Sequence, residues 1–277
     1  MRAAPKFLTV FINLASDTAR RRAMEEQLQR LGLPFARQEA VLGAAIPETI
    51  ASYFYDRNAK LTCSLRKGEV GCFASHLLVS QRICAGEWQG PVLVLEDDNI
   101  APEDVVDLIE EILVNLPSDW DIVRLSDNLK CAYFVNKPLR GDRSLVRYSK
   151  IPRGAGAYLI NRSGAEKLLR LRPADLSFDV ELVHCWNIDL STHGVAPPPF
   201  TAMVTPSSID SIDAGRLINI RRLSLRRASL GTLHKRLRCN IKQLGFAGWT
   251  AGVAANTRNH LMKALGLRNR IRLALQG

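Results

Sequence analysis

The chain has 277 residues, 47% of them hydrophobic, with Gly 18 and Pro 13; this composition excludes a disordered or collagen-like protein and suffices for a sizeable core. Its uninterrupted apolar runs fall short of the roughly 18–20 residues that span a bilayer, which argues against an integral membrane protein. The net charge of +11 is concentrated: from Ala214 to Gly277 there are 14 Lys and Arg and no Asp or Glu, leaving 24 basic and 27 acidic residues in the first 213. The asymmetry divides the chain into a near-neutral body, 1–213, and a basic tail, 214–277, suited to a polyanionic surface.

Phe7–Leu14 is a β-rich apolar run and predicts a first strand. Ser16, Asp17 and Thr18 offer N-caps for a helix with Met24, Leu28 and Leu31 on one face and Gly32 as its stop. Residues 33–42 predict a second strand and 43–68 an irregular connection. Val70, Phe73, Ala74, Leu77 and Gln81 share helical spacing over Glu69–Cys84, which closes at Gly86. Pro91–Leu95 is a continuous apolar strand, buried by its pattern, that runs directly into Glu96-Asp97-Asp98.

Pro102 opens the next expected helix, with Glu103 and Asp104 in its first turn and Val105, Ile109, Ile112 and Leu116 as its stripe. Strands are expected over Asp121–Leu125 and Gly154–Ile160, with weaker candidates near 131–136 and 144–148. Ser163 and Glu166 have capping-box spacing ahead of Lys167–Leu171, and Pro197-Pro198-Pro199 must be extended. Strands alternating with helices imply an α/β fold, one sheet with flanking helices. In the tail Leu223, Leu230, Leu237 and Leu244 recur every seven residues, with Leu233 and Ile241 on the same face and arginines opposite, although Gly231 interrupts the pattern. That is a basic amphipathic helix.

Cysteines stand at 63, 72, 84, 131, 185 and 239. None forms a zinc-knuckle pair or a compact disulfide frame, so the pattern reads as reduced thiols of a cytosolic protein. The apolar stretch near the N-terminus is too short for a secretory signal.

The triad Glu96-Asp97-Asp98 is the most informative feature. A buried strand ending in three carboxylates places them where open α/β sheets bind ligands. Mn²⁺ or Mg²⁺, held by carboxylates and phosphate oxygens, would compensate the charge; a solvated acidic loop is the plain alternative. No Gly-rich phosphate loop or Walker sequence is present, and Gly154-Ala-Gly156 precedes a strand rather than a helix. Ser75 and His76 are adjacent on a helix and point apart, which argues against a nucleophile–base dyad. Cys72 reads as a core residue. Asp179 and Glu181 share a face if the chain is extended and lie apart if it is helical; either could be a general base, and surface charge explains them equally well.

The order of these segments resembles glycosyltransferase family 25, the lipopolysaccharide and lipooligosaccharide glycosyltransferases. The matching blocks are VFINLASDTARRRAM, LRKGEVGCFASHLLVSQRI, PVLVLEDD and RGAGAYLINRSGAEKLL followed by FDVEL, spanning residues 7 to about 200. The resemblance implies a GT-A-like fold and a metal-dependent, inverting transfer of a sugar, galactose being expected, from a UDP-sugar to a hydroxyl of a lipid-linked glycan. It implies that Glu96 and Asp98 hold the divalent cation and that Asn13, Leu14, Arg21, Ser75, His76 and Asp97 bind the donor. Asp179, or Glu181, would be the catalytic base. Where the family often has Asp-Gly, this chain has Leu42-Gly43. With lipid-linked acceptors, the tail is expected to lie on the anionic cytoplasmic face of the inner membrane. A metal-dependent phosphohydrolase would need an aspartate where Asn13 stands. A nucleic-acid-binding module would need more tail aromatics than Phe246 and Trp249, so no nucleic-acid partner is expected.

Overall fold

The computed structural model describes residues 5–63, 65–126, 132–171, 173–174, 176–203, 230–264 and 272–274. In chain order the elements are β1 (Leu8–Asn13), α1 (Thr18–Arg30), β2 (Phe35–Glu39), α2 (Glu48–Ala51), α3 (Lys67–Ala85), β3 (Val92–Glu96), β4 (Asn99–Ile100) and α4 (Val105–Asn115). They continue with β5 (Ile122–Arg124), β6 (Tyr133–Pro138), β7 (Ser144–Tyr148), β8 (Ala157–Ile160), α5 (Arg162–Leu168) and α6 (Phe178–Val183). A 3-10 turn (Cys185–Asn187), β9 (Thr192–Ala196), β10 (Thr201–Ala202), α7 (Leu230–Ala264) and β11 (Arg272–Ala274) complete the order.

Nine strands form one mixed sheet in the order β11-β6-β7-β9-β5-β8-β3-β1-β2. β2, β1, β3, β5 and β9 run parallel, and β8 lies antiparallel between β3 and β5. The period-2 alternation of a strand sorts side chains into two cores. Val10, Ile12, Val92 and Val94 pack on one face with Phe73, Leu77 and Phe178, beneath α3, α5 and α6. Phe11, Leu93 and Leu95 pack on the other with Met24, Leu28, Val105, Ile109 and Ile112, beneath α1 and α4. A sheet covered on both faces explains the unbroken apolar run of β3.

Helices depart from the sequence expectation at α2, which forms within the segment expected to be irregular, and at the starts of α3, α4 and α5. Pro102 caps a turn, accepting from the Val105 N–H, and α4 proper begins three residues later. α5 begins at Arg162 because Asn161 caps it, its side chain accepting from the Gly164 N–H at 2.8 Å. Ser163, the expected cap, instead donates to Asp121 Oδ1 at 2.8 Å. β9 has no counterpart among the expected strands, since its Thr-His-Gly start carries little β signal.

The helix of the basic segment packs on the domain. It breaks at Gly245, whose φ of 69° is left-handed. Cys239, Leu244 and Ala255 are buried. Asn256 accepts from the Ala132 N–H at 3.1 Å and donates to Ser149 Oγ at 2.9 Å, and a Cβ at Gly252 would stand 2.8 Å from Ser149. Small and amide-bearing residues thus make the contact, while Leu233, Leu237, Phe246, Val253 and Leu261 remain exposed. β11 then pairs with β6 at the sheet edge. Leu223, Cys131 and the expected boundary at 213/214 lie outside the described residues. Among the described residues no helix is long and apolar enough to cross a membrane.

Candidate functional site

β1 leads through α1 to β2 on one side, whereas β3 pairs with β1 on the other. The strand order therefore reverses at β1, and the carboxyl ends of β1 and β3 border the crevice where open α/β sheets take ligands. Ile12 pairs with Glu96 across that gap, so Asn13 and the acidic triad come together directly from the register.

Glu96 ends β3 and Asp97 and Asp98 lie in the turn that follows, so the three carboxylates meet different partners. Asp97 is clasped from the α1 side: Asn13 Nδ2 donates to Oδ2 at 2.6 Å and Arg20 Nη1 to Oδ1 at 3.1 Å. Asn13 is itself held by Arg37, which donates through Nε to its side-chain oxygen at 3.1 Å and through Nη2 to its carbonyl at 3.2 Å. Burial nonetheless pushes the Asp97 carboxyl up, against the lowering effect of its Asn13 and Arg20 contacts. Burial pushes Asp98 up as well, reinforced by Glu96 and Asp97. Asp98 Oδ1 accepts from Asn99 Nδ2 at 3.1 Å, and its carbonyl accepts from the Met203 N–H just beyond β10. Asn99 is buried and its side-chain oxygen has no hydrogen-bond partner among the described residues. Asp98, crowded by the Glu96 and Asp97 charges, offers hard carboxylate oxygens of the kind that fits Mg²⁺ or Mn²⁺, with Glu96 near enough to share the ion.

Glu96 also reaches toward α3. Its Oε1 lies 3.5 Å from His76 Nε2. The His76 ring is held on both sides: Nδ1 is 2.9 Å from the Tyr158 hydroxyl, and the ring stacks on Phe178 at 4.2 Å and 6°. Cys72, one helical turn before His76, is half-buried; burial pushes its thiol well up, and the Glu96, Asp179 and Glu69 carboxylates add to the effect. These groups form one electronegative corner.

Asp179 opens α6 and accepts from Ser177 Oγ at 2.7 Å, while Glu181 is buried. Helical geometry separates the two, and the influence on Cys72 comes from Asp179. Ser75 is buried with both sides of its hydroxyl in use, donating to the Gly71 carbonyl and accepting from the Val41 N–H. That link holds α3 against residues 41–43. The approach is close: a Cβ on Gly71 would stand 2.4 Å from the Val41 oxygen, and one on Gly43 would overlap Lys67. Leu14 lies in the turn after β1, half-buried. Arg21 is on the outer face of α1, paired with Glu25 at 2.8 Å.

The structure thus brings Asn13, His76, Glu96, Asp97, Asp98 and Asp179 to one end of the sheet and leaves Arg21 outside the cluster. Arg20, Arg37, Tyr158 and Phe178 join it without having been singled out from sequence. Helical phase holds the only signal for Arg20, which sits three residues after the capping Asp17 and so faces back toward the strand ends.

Residues 7–180, more than half of the chain, match the family model of glycosyltransferase family 25, described as LPS biosynthesis protein. A curated Haemophilus influenzae protein named "Putative glycosyltransferase" is 24% identical over 171 residues, which cover 61% of this chain and 60% of the relative. The chain therefore matches about 60% of that relative's length. Among solved structures, a glycosyltransferase involved in glycosylation of the major capsid of PBCV-1 gives a TM-score of 0.44 at 12% identity, covering 73% of this chain and 95% of that one. A variant of Drosophila beta-1,4-galactosyltransferase 7 with manganese, UDP-Gal and xylobiose gives 0.39 at 9% identity, covering 79% of each chain.

Proposed function

The chain belongs to glycosyltransferase family 25, and from that premise we propose that it is a cation-dependent, inverting hexosyltransferase. It moves galactose from a UDP-sugar to a hydroxyl of a lipooligosaccharide or lipopolysaccharide glycan, on a GT-A-type fold. The observation that carries this reading is the switch-point cluster, with Asp97 clasped by Asn13 and Arg20 and Asp98 left as a crowded, half-buried carboxylate.

Asp98, with Glu96, would hold Mn²⁺ or Mg²⁺, which when bound supplies charge neutralisation for a departing diphosphate. The rest of the work falls to side chains of the chain. Asn13 and Arg20 fix Asp97 so that the donor meets a preorganised wall at the end of β1. Asp179 takes the proton from the acceptor hydroxyl as that oxygen bonds to the anomeric carbon. The bond from the anomeric carbon to the diphosphate oxygen breaks on the opposite face, and UDP leaves with the electron pair. His76, fixed by Tyr158 and Phe178, sets the position of Glu96.

The basic helix supports a cytoplasmic protein held peripherally at the inner membrane. Its exposed Leu233, Leu237, Phe246, Val253 and Leu261, beside Lys235, Arg238 and Arg258, present apolar and cationic groups to an anionic lipid surface.

The catalytic assignment is tested by steady-state kinetics with UDP-galactose and a lipooligosaccharide acceptor. Asp179→Asn should lower kcat by roughly a hundredfold or more with little change in donor KM. Glu181→Gln should alter stability more than turnover. Equal kcat in Asp179→Asn and the parent protein would remove Asp179 as the base.

A further inference from the structure

We propose that Cys72 Sγ, His76 Nε2 and a Glu96 carboxylate oxygen form a three-ligand site for a borderline transition-metal ion of the Zn²⁺ class. The position differs from the hard-cation position at Asp98. Ligand chemistry and spacing carry this site independently of the transferase reading.

The three ligand atoms lie within 4.8 Å of one another. Ligands about 2.0–2.3 Å from a tetrahedral ion stand roughly 3.3–3.7 Å apart, and His76 Nε2 and Glu96 Oε1 are 3.5 Å apart. Cys72 and His76 are four residues apart on α3, which stacks them on one helix face, and Glu96 approaches from the end of β3. A histidine ligand is normally fixed by a partner on its other nitrogen. Here Tyr158 takes that place at 2.9 Å, and the Phe178 ring locks the imidazole plane. Nε2 is thereby aimed at the space shared with the thiol and the carboxylate.

A thiol with an imidazole selects softer ions over Mg²⁺ and Mn²⁺. Asp179 and Glu69 add negative charge around Cys72, a field that favours a dication. Binding converts the Cys72 thiol to thiolate and releases its proton to solvent. Three protein ligands leave a fourth position for water or a hydroxyl. Because Glu96 borders both positions, an ion here withdraws it from Asp98, and Zn²⁺ should antagonise Mn²⁺-dependent UDP binding.

The test uses the full-length, reduced, metal-stripped protein in excess Mg²⁺, titrated with Co²⁺ and followed by thiolate-to-cobalt charge-transfer absorption. One equivalent of Co²⁺ should produce the band and Zn²⁺ should abolish it. Cys72→Ser should remove the band. Glu96→Gln, which keeps the thiol, should weaken Co²⁺ binding by roughly tenfold or more. The double variant Cys185→Ser/Cys239→Ser should retain the band, separating this site from the buried sulfur pair 3.7 Å apart elsewhere. Absence of the band in the parent protein, its survival in Cys72→Ser, or its loss only in the double variant would overturn the proposal. UDP titration on the same samples keeps the two readings apart. A sulfur band without UDP binding contradicts the transferase alone, and UDP binding without the band contradicts this site alone.

Discussion

Asn13 Nδ2 donates to Asp97 Oδ2 across 2.6 Å, joining the last residue of β1 to the first residue beyond β3. The contact exists because Ile12 and Glu96 are in register, so the two following residues meet at the crevice. Asn13→Asp would replace a donor with a second carboxylate at the same distance. Like charges that close cannot both ionise without a large upward shift of one. Affinity for UDP with Mn²⁺ should fall by roughly tenfold or more at pH 8 and recover as pH drops toward 6. Titrations across that range check it; a pH-independent loss would contradict the charge explanation.

The aspartates also set how stability responds to pH. Asp97 and Asp98 are both pushed up by burial, Asp98 further by Glu96 and Asp97. A raised folded value means that the native state holds the proton more tightly than the unfolded chain. The stabilisation is complete below the ordinary carboxylate value near 3.8 and is lost as pH rises through the raised folded value. Near neutrality the ionised pair opposes folding, and a dication bound there would relieve it. Mn²⁺ should therefore raise Tm at pH 7.5 and raise it less at pH 4.5. Asp98→Asn should raise the cation-free Tm at pH 7.5 and remove the Mn²⁺ increment. A Tm that ignores Mn²⁺ at both pH values would contradict the site.

Much of this geometry is legible in the chain because it depends on local patterns. The unbroken Val92–Leu95 run can be satisfied only by a strand covered on both faces, and its end fixes where Glu96-Asp97-Asp98 must sit. Met24 and Leu28 phase α1 against the sheet in the same way. Local patterns do not carry contacts made across the fold. Arg20 rather than Arg21 meets Asp97, a difference of one residue in helical phase that three consecutive arginines leave open. Cys72 reads as a core residue until Glu96 is placed opposite it.

The basic helix shows the same limit. Its sevenfold leucine spacing suggests one continuous amphipathic stripe, yet Leu233 and Leu237 are exposed while Leu244 is buried. Docking uses the close approach of Gly252 to Ser149 and the side-chain amides of Asn256 and Gln243, which reach Ser149 Oγ, the Ala132 N–H and the Leu190 carbonyl. A propensity reading assigns such residues no packing role, because their value lies in close approach and in satisfying buried polar groups.

His193 gives an independent pH signature away from the crevice. It is fully buried on β9, neither ring nitrogen has a hydrogen-bond partner among the described residues, and burial with the nearby Arg147 charge lowers its pKa to about 3. The neutral ring is therefore the folded form, and the unfolded chain takes up a proton first as pH falls. Stability from this group is complete above about 6.5 and declines by up to about 1.4 kcal/mol per pH unit between 6.5 and 3. His193→Leu should flatten the acid limb of denaturant-derived stability without loss at pH 7.5. An unchanged slope between pH 6.5 and 4 would contradict the assignment.

The exposed face of α7 makes the membrane reading testable without disturbing the docked face. Phe246, Val253 and Leu261 point outward, so replacing all three with Ser should leave the fold intact. Cosedimentation with vesicles containing anionic phospholipid should fall by roughly tenfold relative to the parent protein. Binding by the parent should weaken as salt is raised. Full retention by the triple variant would contradict α7 as the contact surface.

A cation-dependent nucleotide-sugar site at the carboxyl ends of β1 and β3 underlies the proposed function. Calorimetric titration with UDP, with and without Mn²⁺, tests it most directly, alongside the variant Glu96→Gln/Asp97→Asn/Asp98→Asn. One site per chain is expected, with binding about tenfold or more tighter with Mn²⁺ and loss of that enhancement in the variant. UDP binding that is equally tight without Mn²⁺, or that survives unchanged in the variant, would contradict it.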